Sequence, residues 1–201
     1  MGIQNLRDNF FKSCPWGPLF SKKSNFNYGY LKEEGSLVDK YFKKRDQVLI
    51  IGSGNGREAR PICFLSGKVI CIDIGNLYLK VGQQLCCQEK LSNIYFIQAD
   101  MFDLPFSNNK FDFVFFSLYS YCNEKRFEML LEINRIMRGD GLLLLTAETP
   151  EYRKIRDAGN YAIIENEHIL RREVNLYGFE MIEALKGTEW SEYLFSILKK
   201  K

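Results

Sequence analysis

Short apolar runs alternate with longer amphipathic stretches over most of the chain. Five of these runs have the length of a β-strand: 48–51, 68–73, 94–98, 111–116 and 142–147. The other stretches carry helix-forming residues and apolar positions at helical spacing, and predict helices at 31–44, 58–66, 75–90, 124–138 and 167–177. Gly67 is expected to end the second of these helices. Leu131 is expected on the buried side of the fourth, and Gly139-Asp140-Gly141 is expected to form the turn after it. Strands and helices that alternate in this way predict an open parallel sheet covered by helices on both faces.

The chain closes with a different pattern. Two more strands are predicted at 179–185 and 190–198, and only the four residues 186–189 join them. Because the connection is so short, the two strands must pair antiparallel. The preceding stretch 148–167 is polar and contains Pro150 and Gly159, and it predicts a long loop or broken helix over the carboxyl edge of the sheet.

The first apolar run leads into a glycine-rich loop. Gly52, Gly54 and Gly56 alternate with small or polar residues, so the backbone can take positive φ angles and approach a ligand closely. The helix that follows would point unpaired N–H groups at an anionic or carboxylate-bearing ligand. Arg57 stands where the dinucleotide-binding pattern has its third glycine, and no Gly-Lys-Ser/Thr sequence follows as in nucleoside triphosphate sites. A tight turn without a ligand remains the alternative.

The second apolar run ends in a carboxylate. Asp73 lies 21 positions beyond Gly52, at the tip of the strand predicted to lie beside the first one. An acid at this position is placed to accept hydrogen bonds from the two hydroxyls of a ribose. Asp73 could equally cap the helix predicted at 75–90, and the two interpretations stay open at this point.

The composition limits the class of protein. With 201 residues, of which 46% are hydrophobic, the chain predicts a single domain over 1–201. A net charge of +3 is too small to favour nucleic-acid binding. Six cysteines without a Cys-x-x-Cys pair, and no apolar amino-terminal stretch, predict a cytoplasmic protein with free thiols and no metal site. No apolar run is long enough to span a bilayer.

Residues 1–30 differ from the rest of the chain. They are rich in aromatic side chains, interrupted by proline and glycine: Phe10, Phe11, Trp16, Phe20, Phe26, Tyr28 and Tyr30. A segment of this composition is not expected to be a plain solvated tail. It could form a lid over a ligand at the carboxyl edge, or it could cover the outside of the core formed by 31–201.

Five motifs follow one another at characteristic intervals. They are Val48 to Glu58, Asp73, Gln98-Ala99-Asp100, Phe111-Asp112-x-Val114 and Arg135 to Gly141. In this order they resemble the class I S-adenosylmethionine-dependent methyltransferases, and the resemblance covers roughly residues 31–201. It implies an α/β fold, a Rossmann-like three-layer sandwich. Its seven-stranded, mostly parallel sheet would have the order 3-2-1-4-5-7-6 and end in an antiparallel hairpin.

The resemblance also implies a binding site for S-adenosylmethionine. The residues expected to line its methionine and ribose part are Gly52, Ser53, Gly54 and Gly56, with Asp73 on the ribose hydroxyls. The residues expected at its adenine are Ile74, Asp100 and Met101, and those beneath the sulfonium are Ser117 and Leu118. One departure is visible, because Ile50 stands where the family often has an acid. A residue of the amino-terminal segment such as Tyr28 could compensate for it.

The implied activity is transfer of a methyl group to an oxygen, nitrogen or sulfur atom of a small molecule. No Asp/Asn-Pro-Pro-Tyr or Pro-Cys sequence follows the fourth strand, so base methylation of nucleic acid is not indicated. His168, the only histidine, could act as a general base or be an ordinary surface residue. Tyr121, and Tyr119 near it, could contact the acceptor or simply pack.

Two other functions stay open. A protein that binds the cofactor without turnover is one, and it is suggested by Ile50. An enzyme that uses the same scaffold for nicotinamide or aminopropyl chemistry is the other. The expected partners are a small-molecule acceptor, no nucleic acid and no membrane, and the expected state is a monomer or a homodimer.

Overall fold

The computed structural model describes residues 31–117, 119, 125–150, 164, 166–187 and 193–201. The strands are β1 (Arg45–Ile51), β2 (Ser66–Asp73), β3 (Ile94–Gln98), β4 (Phe111–Phe116), β5 (Met137–Glu148), β6 (Phe179–Lys186) and β7 (Tyr193–Lys200). The α-helices are α1 (Lys32–Tyr41), α2 (Ala59–Ile62), α3 (Asn76–Gln88), α4 (Arg126–Ile136) and α5 (Glu167–Leu176), and a 3-10 turn (Cys63–Leu65) follows α2. Among these elements no helix is long and apolar enough to cross a membrane.

All seven strands form one sheet in the order β3-β2-β1-β4-β5-β7-β6. β1 lies in the interior of the sheet and pairs in parallel with β2 and β4, with Ile51 opposite both Ile72 and Phe116. β7 pairs antiparallel with β5 and with β6. The predicted fold class, strand order and closing hairpin are therefore confirmed.

The two faces of the sheet carry two separate apolar cores. Leu49 and Ile51 of β1 point to the face covered by α4 and α5, whereas Val48 and Ile50 point to the face covered by α1, α2 and α3. All four side chains are almost completely buried. Burial of such a side chain contributes roughly 1.5 to 3 kcal/mol, which explains why an uninterrupted apolar run forms the central strand.

The helix predicted at 58–66 is shorter than expected, and Gly67 does not end it. The helical turns stop at Leu65, and Gly67 lies inside β2. The side-chain amide of Asn93 explains the difference, because it donates hydrogen bonds to the carbonyl oxygens of Cys63 and Ser66 at 2.8 and 3.0 Å. These bonds end the helical turn and begin the strand.

The region around Gly139 and Gly141 also differs from the prediction. The expected turn is part of β5, where the pairing with β4 is irregular between Phe111 and Phe113.

Leu131, predicted on the buried side of α4, is 56% exposed, and Met129 is buried in its place. The buried face of α4 therefore includes Met129 and excludes Leu131, unlike the face that the apolar pattern predicts.

The parallel strands end along one side of the sheet, which we call the carboxyl edge. Ile51, Asp73, Phe116 and Glu148 are the last residues of β1, β2, β4 and β5. α1 leads into the start of β1, so the first turn of α1 also lies towards this edge. Ligands of open α/β sheets bind at this edge.

Candidate functional site

The loop after β1 adopts the backbone conformation that its glycines allow. Gly52, Gly54 and Gly56 have φ angles of 68°, 53° and 75°. Few residues other than glycine take such angles without strain. The loop is fixed to β2, since the Ser53 N–H donates to the Ile72 carbonyl oxygen at 2.9 Å. The predicted tight, glycine-dependent loop is therefore present.

Two of the three glycines face different surroundings. A Cβ atom at Gly54 would meet no atom within 4 Å, whereas a Cβ atom at Gly56 would lie 2.9 Å from the ring of Phe96. Gly54 therefore presents an open side of the loop, as a residue beside a ligand would. Gly56 instead allows Phe96 of β3 and Ala59 of α2 to pack closely against the loop.

Asp73 ties the tip of β2 to the glycine loop. Its Oδ2 accepts a hydrogen bond from the Gly54 N–H at 2.9 Å, and its Oδ1 accepts one from the Gly75 N–H at 2.7 Å. Gly75 is the N-cap residue of α3, and no side chain caps the first turn of that helix. A carboxylate has about four acceptor positions, so Asp73 retains capacity for two ribose hydroxyls.

The residues expected at the adenine lie around Asp73. The Ala99 N–H donates to the Asp73 carbonyl oxygen at 3.2 Å, which places the start of the 99–110 loop beside the tip of β2. Ile74 is 72% exposed, a large fraction for an isoleucine next to a loop. Asp100 is exposed and its Oδ1 accepts from the Phe102 N–H at 2.9 Å, while Met101 packs against the core.

The structure brings part of the expected sulfonium site to the same edge. Ser117 is half-buried directly after β4, whose last residue pairs with Ile51 just before the glycine loop. Leu118 lies outside the described residues, as do Tyr28, Tyr121, the aromatic segment 1–30 and most of the polar stretch 148–167. Their expected roles remain predictions.

A buried ionic cluster, which the sequence pattern does not predict, joins the end of the glycine loop to α1. The two terminal nitrogens of Arg57 donate to the Glu34 carboxylate at 2.8 and 3.1 Å, and Arg57 also pairs with Glu58. All three side chains are at least nine-tenths buried. Burial lowers the pKa of Arg57, but the two carboxylates outweigh burial and raise this pKa overall. Burial raises the pKa of Glu58.

This cluster joins α1 to the glycine loop. Ile50, at the position where the family often has an acid, is buried in the apolar core. The loop is instead anchored through Arg57, the residue that replaces the third glycine of the dinucleotide pattern. Arg57 was a visible signal in the sequence, but nothing local pointed to Glu34 as its partner.

A second polar cluster joins Tyr119 to Arg126 of α4 and Glu173 of α5. The buried Tyr119 hydroxyl donates to the Glu173 carboxylate at 2.8 Å, and Arg126 donates to the same carboxylate at 2.8 and 3.2 Å. Burial, and then the Glu173 charge, raise the pKa of Tyr119. Tyr119 therefore packs and binds Glu173.

His168 lies in the first turn of α5 and is exposed. α5 leads into β6, which runs parallel to β5 because both strands are antiparallel to β7. The first turn of α5 therefore lies towards the carboxyl edge, and Ile164 before it binds the Glu148 carbonyl oxygen at 2.9 Å. The structure thus places His168 towards the carboxyl edge of the sheet.

Comparisons with known proteins agree with this geometry. The family described as "Methyltransferase domain" matches residues 48–141, from β1 into β5. A curated relative is the ubiquinone/menaquinone biosynthesis C-methyltransferase UbiE of Blochmanniella pennsylvanica. It is 31% identical over 129 residues, which are 60% of this chain and 50% of that protein. The chain therefore spans about half the length of the curated relatives that it matches first.

Two solved structures show the same fold at low identity. A SAM-dependent methyltransferase from Aquifex aeolicus has a TM-score of 0.68 and 15% identity, and the match covers 99% of this chain and 98% of that chain. The [4+2]-cyclase SpnF has a TM-score of 0.73 and 14% identity, with 98% and 95% covered. The matched domain, the curated relative, the glycine loop and the strand order agree: residues 48–141 match a methyltransferase domain, and the chain has the class I Rossmann-like fold of the S-adenosylmethionine-dependent methyltransferases.

Proposed function

We propose that this protein transfers the methyl group of S-adenosylmethionine to a small-molecule acceptor. The observation that carries the proposal is the arrangement of Gly54 and Asp73. Gly54 offers an open approach over the loop, and Asp73 holds that loop while keeping free acceptor positions on its carboxylate. Gly54 lies in the loop after β1 and Asp73 ends the adjacent strand β2, so both lie at the carboxyl edge, where ligands of this fold bind.

The residues at this edge fit the parts of the cofactor. Backbone N–H groups of the loop suit the methionine carboxylate, and the Asp73 carboxylate suits the ribose hydroxyls. The exposed Ile74 offers an apolar surface for the flat adenine ring. When bound, the cofactor supplies an activated methyl group on a sulfonium centre. Among the described residues, no group of three metal-ligating side chains comes together.

The protein's own part in the reaction is to position the acceptor and exclude water. We assign Ser117 and Leu118 to the floor beneath the methyl group, and His168 and Tyr121 to the acceptor side. Methyl transfer to a neutral hydroxyl or amine releases a proton, and His168 could accept it. Alignment of the acceptor atom with the methyl group remains the larger requirement.

The acceptor atom is the open part of the proposal. The family resemblance of the sequence implies an oxygen, nitrogen or sulfur atom as the acceptor. The relative from B. pennsylvanica carries out C-methylation in quinone biosynthesis according to its name, which adds an electron-rich ring carbon to the acceptor atoms worth testing.

Calorimetry provides the first test. We expect S-adenosylmethionine and S-adenosylhomocysteine to bind, and NADH and decarboxylated S-adenosylmethionine to bind much more weakly. Transfer of a labelled methyl group would then be measured with a panel of phenols, amines, thiols and a reduced demethylated quinone. Binding of NADH instead of S-adenosylhomocysteine would reject the proposal.

A second function deserves a parallel test because the fold alone does not fix the chemistry. SpnF shares this fold over nearly the whole chain and is described as a [4+2]-cyclase. If the cofactor binds but its methyl group is never consumed with any acceptor of the panel, a binding protein or another activity on this scaffold becomes the better explanation.

A further inference from the structure

β3 is an edge strand whose outer backbone groups have no partner strand in the described part of the chain. The Asn93 carbonyl oxygen and the Ala99 N–H bind β2 at 2.9 and 3.2 Å, and strand geometry alternates direction at each residue. The N–H and C=O groups of Ile94, Phe96 and Gln98 therefore point away from the sheet. They form a ladder ready to accept another strand.

The two edges of the sheet are built differently. β6, at the opposite edge, has a bulge between Met181 and Glu183 and carries two acids and a lysine. Bulges and charged side chains are the usual protection of an exposed edge against pairing. β3 reads Ile-Tyr-Phe-Ile-Gln and pairs regularly with β2, with no charge, proline or bulge. Its edge is thus open to pairing.

A cavity of about 540 Å³ follows this open edge. Residues on both faces of the sheet line it, including Lys68, Ile70 and Ile97 on one face and Cys86, Ile94 and Phe96 on the other. Tyr95 is 47% exposed. A cavity that reaches both faces at a strand edge suits the side chains of an added strand, which alternate between the two faces.

The charges at the two ends of β3 have opposite signs. Lys90 precedes the strand and is exposed, and Lys68 lies over the Tyr95 ring at 4.6 Å from its centre. Asp100 follows the strand and is exposed as well. Two copies of β3 in antiparallel orientation would bring the basic end of each copy towards the acidic end of the other.

We propose that a second copy of this chain docks on the β3 edge through antiparallel strand pairing about a two-fold axis at Phe96. Phe96 then lies opposite Phe96 of the second copy, and Ile94 lies opposite Gln98. The outward groups of all three residues bond in closed pairs, and the contact is self-complementary. The seven-stranded sheets join into one continuous sheet, with the two cofactor edges pointing in opposite directions. This dimer does not depend on the methyl-transfer proposal.

The test compares Gln98→Pro with Gln98→Ala by analytical ultracentrifugation of the full chain from low to high micromolar concentration. Both variants lose the side-chain bond to the Ile74 carbonyl oxygen, but only proline removes the outward N–H. We expect wild type and Gln98→Ala to dimerise. Gln98→Pro should weaken the dimer by about tenfold or more, since two backbone bonds are lost per dimer. Equal weakening in both variants would overturn the proposal.

A second pair of variants adds the same charge to each edge. Tyr95→Lys should prevent association, whereas Ile182→Lys, at an exposed position of β6, should leave it unchanged. Hydrogen exchange of wild type gives an answer even if a variant fails to fold. The Ile94, Phe96 and Gln98 amides should exchange more slowly as the concentration rises. Two results would reject the proposal. One is a monomer whose three amides exchange fast, and the other is a monomer whose three amides are protected from exchange at all concentrations.

Discussion

Arg57 and Glu34 form a bidentate ion pair beneath the glycine loop, with N···O distances of 2.8 and 3.1 Å. Arg57→Met would keep most of the side-chain volume but leave the Glu34 and Glu58 carboxylates buried without their guanidinium. We expect a loss of about 3 to 5 kcal/mol in the free energy of unfolding. Chemical denaturation measures this change directly.

Arg171→Met is the matched control for this substitution. Arg171 pairs with Glu167 on the surface of α5, where both side chains are nearly half exposed, and it donates one further hydrogen bond to the Met181 carbonyl oxygen at 2.7 Å. The same change should therefore cost less than about 2 kcal/mol. Similar losses in both variants would show that burial of the Arg57 cluster has no special energetic consequence.

Asp73→Ala should remove most of the affinity for S-adenosylmethionine. A carboxylate that binds two ribose hydroxyls contributes roughly 2 to 4 kcal/mol, which corresponds to a loss of at least about 30-fold. Calorimetry with S-adenosylhomocysteine measures it. Asp112→Ala is the control, because Asp112 lies at the start of β4 and pairs with Arg138 at the opposite edge. A change of less than about threefold for Asp73→Ala would contradict the ribose assignment.

Gly54→Ala and Gly56→Ala should fail in different ways. Both residues have positive φ, so each alanine costs about 1 to 2 kcal/mol of backbone strain. The Gly54 methyl group would enter open space and interfere with the cofactor, and Gly54→Val should do so more strongly while the domain still folds. The Gly56 methyl group would press on the Phe96 ring. The same ring packs closely against Gly82, where an added Cβ atom would lie 2.4 Å from it. The ring therefore has no room to move away on that side.

Thermal melting and calorimetry separate the two effects. Gly54→Ala should lose binding with a small change in stability, whereas Gly56→Ala should lose a further 1 to 3 kcal/mol or so of stability through overpacking. The opposite pattern would mean that the cofactor does not approach the loop at Gly54.

The sequence defined β3 and β4 to the residue, because both strands are bounded by turn residues and buried on at least one face. It could not reveal the two ionic clusters. Glu34 lies 23 positions before Arg57, and Glu173 lies 54 positions after Tyr119. Local patterns describe which residues are buried, but these partners meet only through the packing of α1 and α5. Gly67 was assigned wrongly for the same reason, since Asn93 extends β2 from a distant part of the chain.

Glu132 should make stability depend on pH. Its carboxylate accepts from Arg135 Nε at 2.7 Å and from the Leu104 N–H at 3.2 Å, and the hydrogen bond with Arg135 lowers its pKa below the usual value. The folded state thus binds the proton less readily than the unfolded chain. Its contribution to stability is present above the unfolded pKa of about 4.3 and is lost as the pH falls through the lower folded pKa.

Glu132→Gln tests this dependence. We expect wild type to be more stable than the variant by about 1 to 2 kcal/mol at pH 7, and this difference to shrink as the pH falls towards 4 and below. Denaturant titrations at several pH values provide the measurement. Glu128→Gln removes an exposed carboxyl group from the same helix and should change stability little at any pH. A difference for Glu132→Gln that stays constant over this range would show that the charge is not responsible.

A polar cluster joins Tyr119 to α5, the helix that carries His168. Its members are Tyr119, Arg126 and Glu173. Tyr119→Phe removes one donor and leaves the bidentate contact from Arg126, so we expect a cost of about 1 to 2 kcal/mol. Glu173→Gln should cost more, because two donors then lose a charged acceptor.

Ser117 lies two residues before Tyr119 and belongs to the proposed methyl-transfer floor. Both variants should therefore reduce turnover while the affinity for S-adenosylhomocysteine stays within about threefold, since Gly54 follows β1 and Asp73 ends β2. This expectation divides the carboxyl edge into a cofactor half at β1 and β2 and an acceptor half at β4 and α5. If affinity and turnover fall together, the cluster supports the whole edge and this division is wrong.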